Sequence, residues 1–468
     1  MHNFALAHQQ IQNILKTSLK NGGDWAEIFL EHTSHNGLLA EDNKIEKISS
    51  GIIQGAGLRI IKLPHTYYAS TTDYNYENLL KLAKELATAL SQNTKDISLS
   101  QNIAKSINAS PQADIIYKQF PENIPLVKKI NKILLANAVA QKIDPRIKQI
   151  TIGYRDTTQD VLIVNSEGLF IQDQRIRTRF TTQVIAQEKE ILQTGYEGPG
   201  ALEGFEFFEH NLPEEIATEA AERALLMLEA KPAPSGTMQV VLAGEAGGTL
   251  IHEACGHAFE GDFIYKKTSV FHDKLGQQIL SPLITIVDDG SIPGHFGTGR
   301  YDDEGTPSQK NVLVEKGKII KFMQDRVHAS LLNMPLTGNG RRESFQNRAI
   351  PRMTNTYIAP GQHDPNEIIA SIKDGLFVRK MGGGQVDITS GDFVFEVTES
   401  FLIKNGRISH PVRGATLVGN GPKILASVDM VGNDLFFIPG VCGKGDHAPV
   451  TDGQPTLRIP EIVVGGIS

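Results

Sequence analysis

The chain opens with apolar positions at helical spacing. Phe4, Ala7, Ile11, Ile14 and Leu15 share a face, and Asn21-Gly22-Gly23 ends the run. Residues 25–32, 38–40, 44–49, 55–63 and 66–71 then read as strands, with Glu41-Asp42-Asn43 as a polar turn. Leu79, Leu82, Ala83, Leu86 and Leu90 form the apolar face of a second helix, and the polar stretch 91–110 marks a boundary. A similar order recurs. Pro125 opens a helix with Leu126, Val127, Ile130, Ile133 and Leu134 on one side, and strands follow at 150–156, 160–165, 169–175 and 177–188. Pro213-Glu214-Glu215 begins another helix, with Ile216, Ala220, Ala224 and Leu228 inward and acids near its positive end. The repetition predicts two structurally related helix–strands–helix units.

Lys231-Pro232-Ala233-Pro234-Ser235-Gly236 reads as a linker, and the texture changes beyond it. Residues 237–243 form an apolar strand that leads through Gly247-Gly248 into a short helix. After Asp262 come short strands and glycine turns: a hairpin around Lys316-Gly317-Lys318, another around Asn405-Gly406, and one short helix N-capped by Asp364 with Pro365 at its first position. The predicted fold class is α+β. A mixed α/β region (1–110, then 111–230) precedes a β-rich C-terminal part (231–468) that carries the helix.

That helix holds the candidate chemistry. Gly244 to Gly261 includes His252-Glu253-Ala254-Cys255-Gly256-His257. Two imidazoles and an adjacent carboxylate are the parts of a hydrolytic zinc site. The familiar H-E-x-x-H places its histidines four apart on one helix face. Here the spacing is five, and five residues of ideal helix leave the second ring about 140° from the first. A single i→i+5 turn would bring the rings back together, and Gly256 is positioned to permit it. With 14 histidines in 468 residues, roughly 0.02 to 0.03 chance matches to this pattern are expected, so accident is a poor explanation.

Two histidines leave a catalytic zinc one protein ligand short. Cys442, in Pro439-Gly440-Val441-Cys442-Gly443-Lys444, is the first candidate for that place, with buried filler as the alternative. Cys255 competes from within the motif but sits two residues before His257 and faces elsewhere. His447 offers a fourth ligand, an oxyanion donor or a plain loop histidine. Arg341 and Arg342 offer contacts to a substrate carbonyl or carboxylate, with a surface loop as the default. Asp302-Asp303-Glu304 lacks the alternating spacing of a calcium loop and reads as a solvated turn. The loop Gly244–Gly248 lacks Gly-Lys-Ser/Thr, which argues against nucleotide binding.

Composition narrows the classes further. With 40% hydrophobic and 21% charged residues, the chain has the make-up of a soluble globular protein. A net charge of −7 argues against a generic nucleic-acid binder. Two cysteines argue against a secreted disulfide framework. Met1-His2-Asn3-Phe4 shows no signal-peptide pattern and no stretch has membrane-span length, so a cytoplasmic location without membrane contact is expected.

Several stretches together are similar to one known family. Besides the histidine motif they are Glu260-Gly261-Asp262-Phe263, Thr268-Ser269-Val270-Phe271 and Asp302-Asp303-Glu304-Gly305-Thr306-Pro307. Gly338-Asn339-Gly340-Arg341-Arg342-Glu343-Ser344, Pro351-Arg352-Met353-Thr354-Asn355-Thr356-Tyr357, Gly382-Gly383-Gly384-Gln385-Val386-Asp387 and Gly440-Val441-Cys442-Gly443-Lys444 follow in order. The sequence resembles the TldD/PmbA family, on its TldD-like side. The resemblance implies a metalloprotease with zinc on His252, His257 and Cys442 and with Glu253 as general base. It implies unfolded or extended peptide substrates, including peptide leaders. It also implies a PmbA/TldE-like paralogue as hetero-oligomer partner, with a homodimer as the other arrangement. The rival reading is a non-enzymatic regulator of the DNA gyrase modulator type, whose metal is structural. A structural zinc is closed by four protein ligands, whereas a catalytic one keeps a position open.

Overall fold

The computed structural model describes residues 2–93, 102–107 and 109–466, so positions 94–101 and 108 of the expected boundary lie outside the described residues. Both helix–strands–helix units are present. The first is α1 (His8–Ser18), β1 (Trp25–Glu41), β2 (Lys44–Lys62), β3 (His65–Thr71) and α2 (Tyr76–Asn93). The second is α3 (Leu126–Ile143), β4 (Ile147–Asn165), β5 (Phe170–Glu188), β6 (Ile191–Glu197) and α4 (Pro213–Glu229). The short strands expected from periodicity fuse into hairpins of much longer strands. Polar residues such as Ser34, His35 and Asn36 interrupt the alternation in β1, but pairing with both β2 and β4 carries the strand through them. Asp42 and Asn43, both at positive φ, make the tight turn between β1 and β2.

The two units share one antiparallel sheet of order β3-β2-β1-β4-β5-β6. They meet first strand to first strand, with Glu27 opposite Asn165 at one end and Glu41 opposite Thr151 at the other. All four helices cover one face. Ala26, Ile28, Leu30, Leu58 and Ile60 pack with α1 and α2, and Ile150, Ile152, Tyr154, Phe180 and Val184 pack with α3 and α4. The inward residues of α4 match the expected stripe. In α3 the stripe is rotated. Leu126 and Val127 are exposed, while Ile133, Ala136 and Ala140 are buried, because contact with α4 and β4 selects the face.

The opposite face of the sheet carries buried charge and packs on the C-terminal part. Phe345 sits against Phe29, Val161 and Ile163. Arg59 pairs with Glu27 at 3.0 Å and with Glu304 at 2.5 Å, and Arg175 pairs with Asp303 at 2.5 Å. Asp302-Asp303-Glu304 is therefore not a solvated turn: all three residues are buried. The arginines that the sheet presents from below supply the counter-charges that make this burial tolerable.

Beyond the linker, five strands close into a ring. In order around it they are Asp374–Val386, Gly236–Leu242, Leu457–Gly465, Thr416–Asn420 and Asp392–Lys404, the last pairing back onto the first. Asn405 and Gly406 turn the hairpin with positive φ, as their sequence predicts. A separate six-stranded sheet ends on the strands His447–Gln454 and Phe436–Gly443, the latter at its edge. Strands dominate this half, as the α+β expectation required.

Candidate metal centre

The motif helix starts from a pair of left-handed glycines. Gly247 has φ 85° and Gly248 φ 72°, which side chains rarely adopt. A Cβ on Gly248 would lie 2.5 Å from the backbone nitrogen of Gly453, so the loop also lets the helix press against the strand His447–Gln454. Thr249–Ile251 is α-helical, His252–Gly256 is a π turn, and His257–Phe259 is 3-10. The His257 N–H donates to the His252 carbonyl, an i→i+5 bond. The departure from α geometry demanded by the five-residue spacing is thus present. Gly256 does not produce it through unusual dihedrals, since its φ and ψ are ordinary right-handed values of −54°. Its small size instead admits Met353, whose sulfur would lie 2.2 Å from an added Cβ.

The π turn aims both rings at Cys442. His252 Nε2 lies 3.2 Å and His257 Nε2 3.3 Å from Cys442 Sγ, and all three residues are buried. Usual zinc–sulfur and zinc–nitrogen bond lengths put such atoms about 3.6 Å apart across a tetrahedral metal, so a small outward shift of the sulfur admits the ion. Among the described residues, no further His, Cys, Asp or Glu joins this group of possible ligands. The donor chemistry fits zinc and leaves a coordination position free.

Each ring is oriented from behind. His252 Nδ1 is 2.6 Å from Asp452 Oδ1, and His257 Nδ1 is 3.0 Å from Glu260 Oε2. Lys444 Nζ bridges Glu260 at 2.9 Å and Asp262 at 2.7 Å. Arg352 donates to the Cys442 carbonyl and pairs with Asp446. Burial works against charge throughout this cluster, but the partners prevail. Asp452 holds His252 well above the ordinary imidazole value, and Glu260 holds His257 at about 9. Lys444 and His257 hold Glu260 down at about 2, and the two rings lower the Cys442 thiol to about 6. These shifts favour a thiolate and charged rings in the absence of metal, so metal binding is linked to proton release.

Glu253 is half-buried, and among the described residues its carboxylate has no hydrogen-bond or ion-pair partner. Cys255 is fully buried in the core, where burial pushes its thiol up, and it is not among the three grouped donors. His447 is exposed, with its ring 3.3 Å from Glu343. Arg341 and Arg342 are not in a surface loop. Arg342 pairs with Glu27 at 2.5 Å beneath the sheet, and Arg341 donates to the carbonyls of Met353 and Pro449. Local sequence pattern misses the two carboxylates that orient the rings. Glu260 is three residues past His257 and so was within reach of a helical-spacing argument. Asp452 is 200 residues from His252 and left no local signal.

The two orienting carboxylates give a first test. Asp452→Ala is expected to weaken metal binding by about 10- to 100-fold, since it frees the ring that the carboxylate fixes. Competition with a chromogenic chelator measures it, and parental affinity in the variant would remove Asp452 from the site.

A buried His/His/Cys donor set with an unengaged carboxylate beside it places the molecule in the class of metal-dependent hydrolases. Comparison with known proteins narrows the class. Models of the PmbA/TldA metallopeptidase domain 1, central domain and C-terminal domain match residues 26–90, 120–228 and 235–466. The metalloprotease TldD homolog of Haemophilus influenzae is 37% identical, over 98% of this chain and 97% of that protein. The chain belongs to the PmbA/TldD metallopeptidase family and is a metalloprotease. Two solved structures share the fold. A Thermotoga maritima protein described as a candidate modulator of a DNA gyrase has a TM-score of 0.80 at 21% identity, covering 98% of this chain and 100% of that one. TldE from Thermococcus kodakarensis has a TM-score of 0.77 at 20% identity, with coverage of 98% and 100%. Among the described residues, no helix is long and apolar enough to cross a membrane.

Proposed function

We propose that the chain is a zinc-dependent endopeptidase acting on unfolded or extended peptides, with Glu253 as its general base. The observation that carries this reading is the convergence, among the described residues, of three donors, His252, His257 and Cys442, with Glu253 next to His252 in the chain. Three protein ligands suit a catalytic zinc, whereas a structural one is normally closed by four. A zinc ion held there would supply Lewis acidity for the scissile carbonyl and for water. Glu253 takes the proton of the attacking water and returns it to the leaving amine. Asp452 and Glu260 keep the two rings in the tautomer that presents Nε2.

The strand Phe436–Gly443 supports the extended-substrate part of the proposal. It carries Cys442 and lies at the edge of its sheet, where an extended peptide can add as a further strand, although Arg352 already takes the Cys442 carbonyl. Recognition through main-chain bonds requires an unfolded substrate and reads little side-chain identity. A TldE-like paralogue is the proposed partner, with the chain as catalytic member and a homodimer as the alternative assembly.

The deciding experiment incubates the zinc-loaded protein, with and without a PmbA/TldE-like paralogue, with an unfolded polypeptide. Cleavage that a chelator abolishes and zinc restores is the expected result. Tightly bound zinc with no cleavage in either mixture would favour the structural-metal regulator instead.

A further inference from the structure

Away from the metal centre, the buried Arg341 and the partly buried Arg177 line one cavity, and among the described residues neither forms an ion pair of its own. Arg177 lies on the face of β5 turned away from the helices, and Arg341 lies in the short strand Gly340–Arg341 of the C-terminal part. Both line a cavity of about 20 Å³, together with Arg175, Asp302, Asp303 and Gly338. Arg177 donates to the carbonyls of Phe296 at 2.9 Å and Thr298 at 3.0 Å. Arg341, nine-tenths buried, donates to the carbonyls of Met353 and Pro449. A guanidinium has five N–H donors, so each retains donors for another acceptor.

The nearby carboxylates are committed elsewhere. Asp303 binds Arg175 and the Arg342 N–H, and Asp302 accepts the N–H groups of Glu304, Thr306 and Gly340. Burial, then the neighbouring Glu304, pushes Asp302 up to about 8. Burial drives Arg177 down to about 9 and Arg341 to about 10; neighbouring arginines add to it, and Asp303 opposes it at both without cancelling it. A guanidinium does not give up its proton in a protein, so this excess positive charge calls for a counter-ion.

We propose that the cavity between Arg177 and Arg341 is a binding site for a single halide ion, chloride under ordinary conditions. Its volume exceeds the ~10–15 Å³ that one water needs and is too small for sulfate, phosphate or a peptide carboxylate with its chain. The bound ion joins the N-terminal sheet, through Arg177, to the catalytic part. Arg341 also holds the Pro449 carbonyl, and Pro449 pairs with Val441, the neighbour of Cys442. The halide thereby braces the hairpin that presents the metal-binding sulfur.

Crystals of the full chain soaked in bromide test the site directly. The expected result is an anomalous peak within hydrogen-bonding distance of both guanidinium groups, and a water molecule alone at that position overturns the proposal. In solution, the zinc-loaded protein is melted in chloride, bromide, sulfate and gluconate at matched ionic strength. Above the dissociation constant, each tenfold rise in halide should raise the folded-to-unfolded ratio about tenfold, with no such rise in gluconate or sulfate. Arg177→Met should lose this halide dependence while keeping its zinc. Equal melting in chloride and gluconate, or unchanged halide dependence in Arg177→Met, refutes the site. Should that variant fail to fold, the bromide experiment on the parent decides alone.

Discussion

Glu253→Gln should retain zinc and fold while losing about a hundred- to ten-thousand-fold in turnover, the usual consequence of removing a general base. The amide is nearly isosteric with the carboxylate, and among the described residues Glu253 makes no ion pair whose loss would disturb the helix. It sits in the π turn between the two ring-bearing positions, so a change of shape there would be read directly in metal content. The metal should stay because the donor cluster consists of His252, His257 and Cys442. An amide, however, cannot accept the water proton at neutral pH. Peptide affinity should be preserved, since binding to the edge strand Phe436–Gly443 does not involve the carboxylate. Zinc content, turnover and peptide affinity measured side by side on the variant and the parent separate these effects. Near-parental turnover would remove Glu253 from the mechanism, and efficient cleavage of a compact folded protein would remove the extended-strand substrate.

The second large effect is expected from Cys442→Ala. Loss of one of three donors should weaken zinc binding well beyond the 10- to 100-fold typical of losing an orienting partner. The strand itself should survive. It pairs with its neighbour from Phe436↔Gln454 to Gly443↔His447, and Arg352 holds the backbone carbonyl of residue 442, which the substitution leaves in place. Zinc content after dialysis, with a thermal melt as control, reads the two separately. An unchanged zinc content would dismiss Cys442 and direct attention to His447. The geometry argues against that outcome, because His447 is exposed and turned toward Glu343.

Much of the fold was legible because it is written in local periodicity. The stripe Ile216, Ala220, Ala224 and Leu228 is buried as its spacing requires, and Asn405-Gly406 turns its hairpin through positive φ. The Asp364 side chain caps the helix Pro365–Ala370 by accepting from the Asn366 N–H. The departure from α geometry was legible too, since an ideal helix holds rings five residues apart about 140° from each other; that it takes the form of a π turn rather than a break is what the fold decided. Strand lengths were not. The polar centres of β1 and β4 lack alternation, and each strand continues through them because it has a partner on both sides.

What the sequence determined by itself is therefore local: the two helix–strands–helix units, the distorted helix, and the placing of Glu253 between His252 and His257. Tertiary structure decided which distant groups meet. Asp452 reaches His252, and Cys442 reaches both rings, through the register of Phe436–Gly443 against His447–Gln454. Asp302-Asp303-Glu304 and Arg341-Arg342 look like surface charge in one dimension. They are interior because the second face of the N-terminal sheet brings Arg59, Arg175 and Glu27 down onto them. The physical reason is that periodicity records which face of an element is apolar, whereas a buried charge depends on a counter-charge far away in the chain.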